Sequence, residues 1–216
     1  MAAPELPVLA LDDAAAWAAW LAEHHATSPG VWLRLPKKTP AFTYALALDA
    51  ALCWGWIDSQ KRALDDAAFL QRFTRRNPKG PWSKINCAKI EVLVAAGKMQ
   101  PPGLREVARA KEDGRWERAY HGAKTIEVPP DFVAALAVDP AAEAFFAALD
   151  SANRYAILYR ISAVKKPETR AANIAKFVAL CARGERIHPV AAPRGGQLAS
   201  TGASRSTRKP GPSSSA

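Results

Sequence analysis

The sequence predicts an α+β protein, predominantly helical, with a small antiparallel sheet or hairpin in the N-terminal part and a three-helix C-terminal module. Three observations carry this expectation. Helical periodicity in the first half is interrupted by two runs rich in branched and aromatic residues, Ile57 to Leu64 and Ala68 to Thr74, joined by Asp65-Asp66-Ala67. From Pro129 onward the spacing of apolar residues is helical only. The last 28 residues, Pro189 to Ala216, hold 14 Pro, Gly or Ser and four basic residues without an acid, a composition that cannot bury enough surface to offset its ordering entropy. The expected organisation is therefore a helix-rich α+β domain over 1–125, a helical module over 126–188 and a disordered, weakly basic tail over 189–216.

Each element has a local reason. Asp12 or Asp13 caps a helix reaching about Ala26, with Trp17, Trp20, Leu21 and His24 on one stripe. Ser28-Pro29-Gly30 breaks the chain, and Val31 to Leu35 reads as a short strand. Thr43 caps a helix through about Cys53 with Ala45, Leu48 and Leu52 inward, and Gly55 ends it. In the second hairpin arm, Phe69, Gln71 and Phe73 share one face and Leu70, Arg72 and Thr74 the other, which places Arg72 beside core residues at the lining of a cleft. Asn77-Pro78-Lys79-Gly80-Pro81 is a loop. Ser83 caps a helix from Lys84 to Ala96 closed by Gly97, and Pro102 to Lys111 forms the next. Pro130 to Val138, a helix opened by Asp139-Pro140, another from Ser151 and a last one from Lys166-Pro167 to Gly184 complete the chain, with Ile174, Phe177, Val178 and Cys181 as the last helix's buried face.

Charge is unevenly placed. The 216 residues carry 30 Lys plus Arg against 20 Asp plus Glu, a net charge of +10. The tail accounts for four of these charges. The remaining excess of six equals the charge of one segment, Gln71 to Lys89, with Arg72, Arg75, Arg76, Lys79, Lys84 and Lys89 and no acid. Phe73, Pro78, Pro81 and Trp82 are interleaved with it, which a purely solvated face does not require. The three cysteines, Cys53, Cys87 and Cys181, form no CxxC pair and read as small core hydrophobes in a reducing, cytoplasmic compartment. No run approaches the about 18 apolar residues a membrane span needs, so no membrane insertion is expected. The start of the chain carries no basic region followed by an apolar core.

The candidate site is built on this segment. Free N–H groups at the start of the Lys84 helix and the Ser83 hydroxyl form an anion cradle. Arg72, Arg76, Lys79 and Lys61 supply charge, Trp56, Phe73 and Trp82 stacking surface, and Asp58 and Asn86 polar contacts. Such a set suits a small anionic ligand, or a nucleic-acid strand held by the basic segment and the tail. The same residues also admit a structural explanation: Ser83 as a cap, Trp82 as a core anchor and Arg72 paired with Asp58. Recognised signatures for nucleotide, ester or metal chemistry are missing: GxGxxG, GxSxG and HExxH do not occur, and Gly97-Lys98 has Val92 where a phosphate loop needs Gly. No cofactor and no metal are called for. Asp58, with Lys61 or Arg72, is the single acid-base candidate, and an enzyme of unknown reaction is the third reading.

Several blocks together resemble one family: His24-His25-Ala26-Thr27-Ser28-Pro29-Gly30-Val31-Trp32-Leu33, Thr43-Tyr44-Ala45, Ala51 through Asp58, Gln71-Arg72-Phe73-Thr74, Trp82-Ser83-Lys84-Ile85-Asn86 and Lys166-Pro167-Glu168-Thr169-Arg170. Over about residues 5 to 188 the chain is similar to the YdeI/OmpD-associated, or bacteriocin-protection, proteins. It departs from their usual pattern at Ser59, where they carry Gly, and at Arg75 and Asn77, where they carry Pro and Arg. The resemblance implies a helical C-terminal module and an association with envelope stress or antimicrobial-peptide resistance. It brings no reaction and no catalytic residues.

Overall fold

The computed structural model describes residues 5–164 and 166–189. The chain runs β1 (Val8–Ala10), α1 (Ala14–His24), β2 (Val31–Pro36), α2 (Tyr44–Cys53), β3 (Trp56–Ala63), β4 (Ala68–Arg75), α3 (Lys84–Ala95), α4 (Pro101–Glu112), α5 (Pro130–Leu136), α6 (Pro140–Ala147), α7 (Ser151–Ser162) and α8 (Pro167–Ala182). The α+β reading holds. The tail expected beyond Pro189 lies outside the described residues.

Local chemistry accounts for most boundaries. Asp13 accepts from the Ala16 N–H at 2.8 Å, Thr43 from Leu46 at 3.3 Å and Ser83 from Asn86 at 3.2 Å, each satisfying an N–H that the helix itself leaves unpaired. Asp139 and Asp150 do the same for α6 and α7. Gly55, at φ +74°, turns the chain out of α2 into β3, a conformation open to glycine because it lacks a Cβ.

The sheet has four strands in the order β1-β2-β4-β3. The hairpin β3–β4 is antiparallel, β4 pairs antiparallel with β2, and β1 pairs parallel with β2 through Val8↔Trp32 to Ala10↔Arg34. Three residues show too little alternation to announce β1 in the sequence; its partner β2 makes it a strand. Between Asp58 and Lys61 the β3 register shifts, and the buried Gln71 side chain spans the irregularity by donating to the Gln60 carbonyl at 3.0 Å.

Buried apolar residues form two clusters. The first joins α1, α2 and α3 to one sheet face: Trp17 and Leu21, Ala47, Leu48, Ala51 and Leu52, Val31, Leu33 and Leu35, Trp56 and Phe73. Ala45, expected inward, is exposed, and the core stripe of α2 runs instead along Ala47, Leu48, Ala51 and Leu52. Trp17 stacks on Trp20 at 5.3 Å and meets Phe73 at 5.5 Å, while its indole N–H donates to the Ala47 carbonyl. The second cluster gathers Phe132, Leu136, Phe146, Ile157, Leu158, Ile161, Phe177 and Cys181. The module, expected as three helices, contains four, α5 to α8, at the four stretches that the sequence marks from Pro130, Asp139-Pro140, Ser151 and Lys166-Pro167. Asn153 exchanges two hydrogen bonds with the His188 backbone and pins the end of the described chain to α7.

The three thiols are free and buried, as small core residues. Burial pushes Cys87 up to about 11 and raises Cys53 and Cys181 as well, so all three stay protonated at neutral pH.

Candidate functional site

Two concave regions compete for attention, beside a third of about 490 Å³ that Arg34, Lys38 and Asp66 line among mostly exposed residues. The larger, about 850 Å³, lies against α8 and is lined mostly by Ala171, Ile174, Ala175, Val178 and Ala179. Its prominent charges are already matched, because Arg170 clasps Asp131 through bonds of 2.7 and 2.9 Å. The smaller, about 500 Å³, is lined by Ile57, Asp58, Ser59, Arg76, Asn77, Gly80, Pro81, Asn86 and Tyr120. Polar groups with unused bonding capacity sit in this second cavity, and it is the candidate site.

Its walls follow from four stretches of chain. Pairing of Asp58 with Phe73 puts the Asp58 side chain on the helix-facing side of the sheet. There the Tyr44 hydroxyl, at the start of α2, donates to Asp58 Oδ2 at 2.8 Å. Burial, together with that hydrogen bond, pushes the Tyr44 phenol above its ordinary range. Arg76 leaves β4 with its N–H on the Gly55 carbonyl at 3.0 Å, so the glycine turn fixes where this arginine emerges. Asn86 stands one turn into α3. Tyr120 arrives from the segment after α4 and is held by a backbone bridge, its N–H donating to the Trp82 carbonyl and its carbonyl accepting from Lys84.

Arg76 is the unusual group. It is 7 % exposed, its guanidinium lies 3.5 Å over the Trp82 ring, and Nη1 donates to the Pro81 carbonyl at 3.2 Å. Nε is buried without a partner, and among the described residues no carboxylate forms an ion pair with it. Burial therefore pulls its pKa down to about 10, still high enough to keep it charged at pH 7. A buried cation without an anion is costly unless something outside the chain completes it. Tyr120 is also raised, by burial and then by the neighbouring Tyr159, whose ring is 5.2 Å away on α7.

The structure assembles only part of the expected pocket. Asp58, Arg76 and Asn86 meet in the cavity. Trp56 and Phe73 are wholly buried, and the Trp56 indole donates to the His25 carbonyl, so neither offers a face for stacking. Trp82, 2 % exposed, forms the floor beneath Arg76 and packs on Trp116. Arg72 is not paired with Asp58; the pleat sends it to the opposite face of the sheet, across from Trp32. Lys61 is exposed on β3 over the Phe69 ring, and Lys79 and Lys84 are exposed outside the cavity lining.

The anion cradle at the start of α3 needs correction as well. Lys84 donates to the Tyr120 carbonyl, Asn86 to the Ser83 hydroxyl and Cys87 to the Ser83 carbonyl, so the N–H groups that would hold an anion are mostly taken. Nor is Gln71 to Lys89 one patch: Arg75 reaches the Ala26 carbonyl, Lys89 pairs with Asp49 at 2.7 Å and Arg76 is buried. Tyr44, Asn77 and Tyr120 were not legible as site residues. Tyr120 in particular reaches the site through a single bridge to Ser83, 37 positions earlier, which no local pattern records.

Chemically, the cavity offers a carboxylate, a guanidinium, two amides and a phenol within one small volume. That set can hold a ligand by an anionic group at Arg76 and a hydrogen-bond donor at Asp58.

Comparisons with known proteins match two stretches of the chain to different family models. Neither the curated proteins nor the solved structures provide a match. Residues 9–106 match a domain of unknown function (DUF8412), and residues 125–184 match the family described as bacteriocin-protection, YdeI or OmpD-associated. The resemblance seen over about residues 5 to 188 is thus carried by that family in the last third of the described chain. The C-terminal module, with its helices α5 to α8, is therefore the part of the chain that matches the YdeI/OmpD-associated bacteriocin-protection family.

Proposed function

We propose that this protein binds a small ligand carrying an anionic group in the cavity formed by Asp58, Arg76, Asn77, Asn86 and Tyr120. The observation that carries the reading is Arg76: a charged guanidinium, nine-tenths buried, that no carboxylate among the described residues contacts as an ion pair, Glu106 acting on it only from a distance. A bound phosphate or carboxylate would supply that charge and accept from the nitrogens left free. Asp58, oriented by Tyr44, selects ligands that also present a donor, and the amides of Asn77 and Asn86 add directional contacts. Within a bacteriocin-protection family, ligand binding of this kind fits a protein of a cytoplasmic stress or antimicrobial-peptide response. Three buried free thiols suit a reducing compartment. No helix among the described residues is long and apolar enough to cross a membrane.

The test is a thermal-shift panel of inorganic phosphate, nucleotides, phosphorylated sugars and small carboxylates, followed by calorimetry on any compound that raises the melting temperature. Binding that is lost in Arg76→Met and weakened at least tenfold in Asp58→Asn and Asn86→Ala supports the site. A panel without a shift, or a bound compound indifferent to all three substitutions, refutes it.

A further inference from the structure

The cavity leaves Arg72 unused, and its position in the sheet opens a separate question. Across the ladder Arg72 faces Trp32, while Leu70, two residues earlier, is flanked by Arg34 on β2 and Arg62 on β3. Directly opposed residues share a face, so Arg34, Arg62 and Arg72 surround Trp32 and Leu70 on the side of the sheet turned away from Asp58. Trp32 and Leu70 are 4 % and 8 % exposed, yet neither belongs to the cluster that fills the helix-facing side. Arginine covers Trp32: the Arg62 guanidinium lies 4.1 Å from the centre of its ring. None of the three arginines forms an ion pair among the described residues, and Arg72 Nε is buried without a partner. Of the neighbouring hairpin carboxylates, Asp65 accepts from the Ala67 and Ala68 N–H groups and feels Arg34 only as a minor influence, while Asp66 lines a hollow with Arg34 without forming an ion pair with it.

We propose that this outer sheet face binds the phosphodiester backbone of a single-stranded nucleic acid. Strands lie about 4.8 Å apart, so Arg34 and Arg62, two strands apart, stand about 10 Å from each other, with Arg72 one pleat along. The cations are thus spread over a plane, suited to successive phosphates of a strand laid across it. A guanidinium stacked on an indole directs its N–H edges outward, the geometry for a forked contact to phosphate oxygens. An acidic peptide adding to the sheet would use a strand edge, whereas these charges stand on the face. A lipid surface would call for protruding apolar groups, and Trp32 and Leu70 are recessed beneath the arginines.

Anisotropy of a fluorescein-labelled oligothymidylate, titrated with the full chain between 50 and 200 mM salt, tests the proposal. Three phosphate contacts to a single strand give a slope of log affinity against log salt of about −2 from this face alone. R34Q/R62Q/R72Q is expected to weaken binding at least tenfold at the lowest salt and to flatten the slope by about that amount. R34K/R62K/R72K, which keeps the charges but loses the fork, keeps the salt slope while binding more weakly than the wild type and more tightly than the glutamine variant, and K79Q/K84Q changes neither slope nor affinity. The proposal is overturned if the wild-type chain does not bind, if the glutamine variant binds as the wild type does, or if the lysine variant falls with the glutamine variant. Loss that follows K79Q/K84Q instead also overturns it, as does arginine-dependent binding to phosphatidylglycerol vesicles without binding to the oligonucleotide.

Discussion

Replacing Arg76 by Met separates stability from binding more sharply than any other single change in this protein. The guanidinium is 7 % exposed and burial draws its pKa down to about 10. At 1.36 kcal/mol per pKa unit, the distance from the ordinary arginine value corresponds to about 3 kcal/mol against holding the charged form in the fold. The sign follows from proton binding. Between about 10 and the ordinary value the unfolded chain holds this proton more tightly, so stability rises with pH there, and at neutral pH the whole penalty is present. Against it stand the stacking on Trp82 and the bond to Pro81, together worth about 1–2 kcal/mol. A Met of similar reach keeps the apolar contact with Trp82 and carries no charge to desolvate. The expected outcome is a variant about 1–2 kcal/mol more stable than the wild type, with a melting temperature roughly 3–6 °C higher. The same variant no longer binds the ligand.

Urea unfolding followed by tryptophan fluorescence is the assay, since all seven tryptophans lie between Trp17 and Trp116 and report on the part of the chain that holds Arg76. Arg76→Lys provides the ordering. It keeps a charge that is more strongly hydrated and loses the planar stack, so it is expected to fall below the wild type. A midpoint for Arg76→Met lower by more than about 1 kcal/mol refutes the reasoning. That result would make Arg76 a structural tie for the 76–81 loop.

Gly103→Ala is expected to destabilise by about 3 kcal/mol or more, because a Cβ there would be driven into the Cys53 carbonyl oxygen, with its carbon 2.8 Å away, and backbone cannot move as a side chain can; thermal melting checks it. Tyr44→Phe removes the donor to Asp58 Oδ2 and should change stability by less than about 1 kcal/mol while lowering ligand affinity roughly fivefold in calorimetry. On acidification the C-terminal module should lose stability through Asp131 and Asp150. Arg170 holds Asp131, and the Asn153 backbone N–H holds Asp150, below the usual carboxylate range. A depressed folded-state pKa contributes stability above the unfolded value and loses it as pH falls through the folded one, so the loss begins below about pH 4. Near-ultraviolet dichroism of Tyr155 and Tyr159 follows it, and a transition unaltered in Arg170→Met would contradict the assignment.

Much of the fold is local in origin, which is why it can be read from order alone. Ser83, Thr43 and Asp139 cap because a short side-chain oxygen reaches an N–H two or three residues on, whatever the rest of the chain does. The hairpin faces of β4 follow from the pleat. The site resisted because its selection is made by burial. Trp56, Trp82 and Arg76 look alike in sequence as members of an aromatic and basic run, but only packing decides that Trp56 fills the core, Trp82 becomes a floor and Arg76 lies charged upon it.

By its order alone, then, the sequence determined the helices, the hairpin, the buried thiols, the concentration of charge between Gln71 and Lys89 and the kinship of the C-terminal module. The tertiary structure decided where that charge goes. The alternation of β4 sends Arg72 to one sheet face, the turn at Gly55 and the bond from Arg76 send the next arginine but one of the segment into the cavity beside Asp58, and Lys89 is drawn across to Asp49. Charges adjacent in sequence are parted because a strand alternates its side chains and a helix rotates them, while Tyr44, which bonds Asp58, and Tyr120, which lines the same cavity as Asp58, come from distant parts of the sequence. A run of six positive charges becomes one buried guanidinium, one arginine on the outer sheet face and a few solvated or paired neighbours.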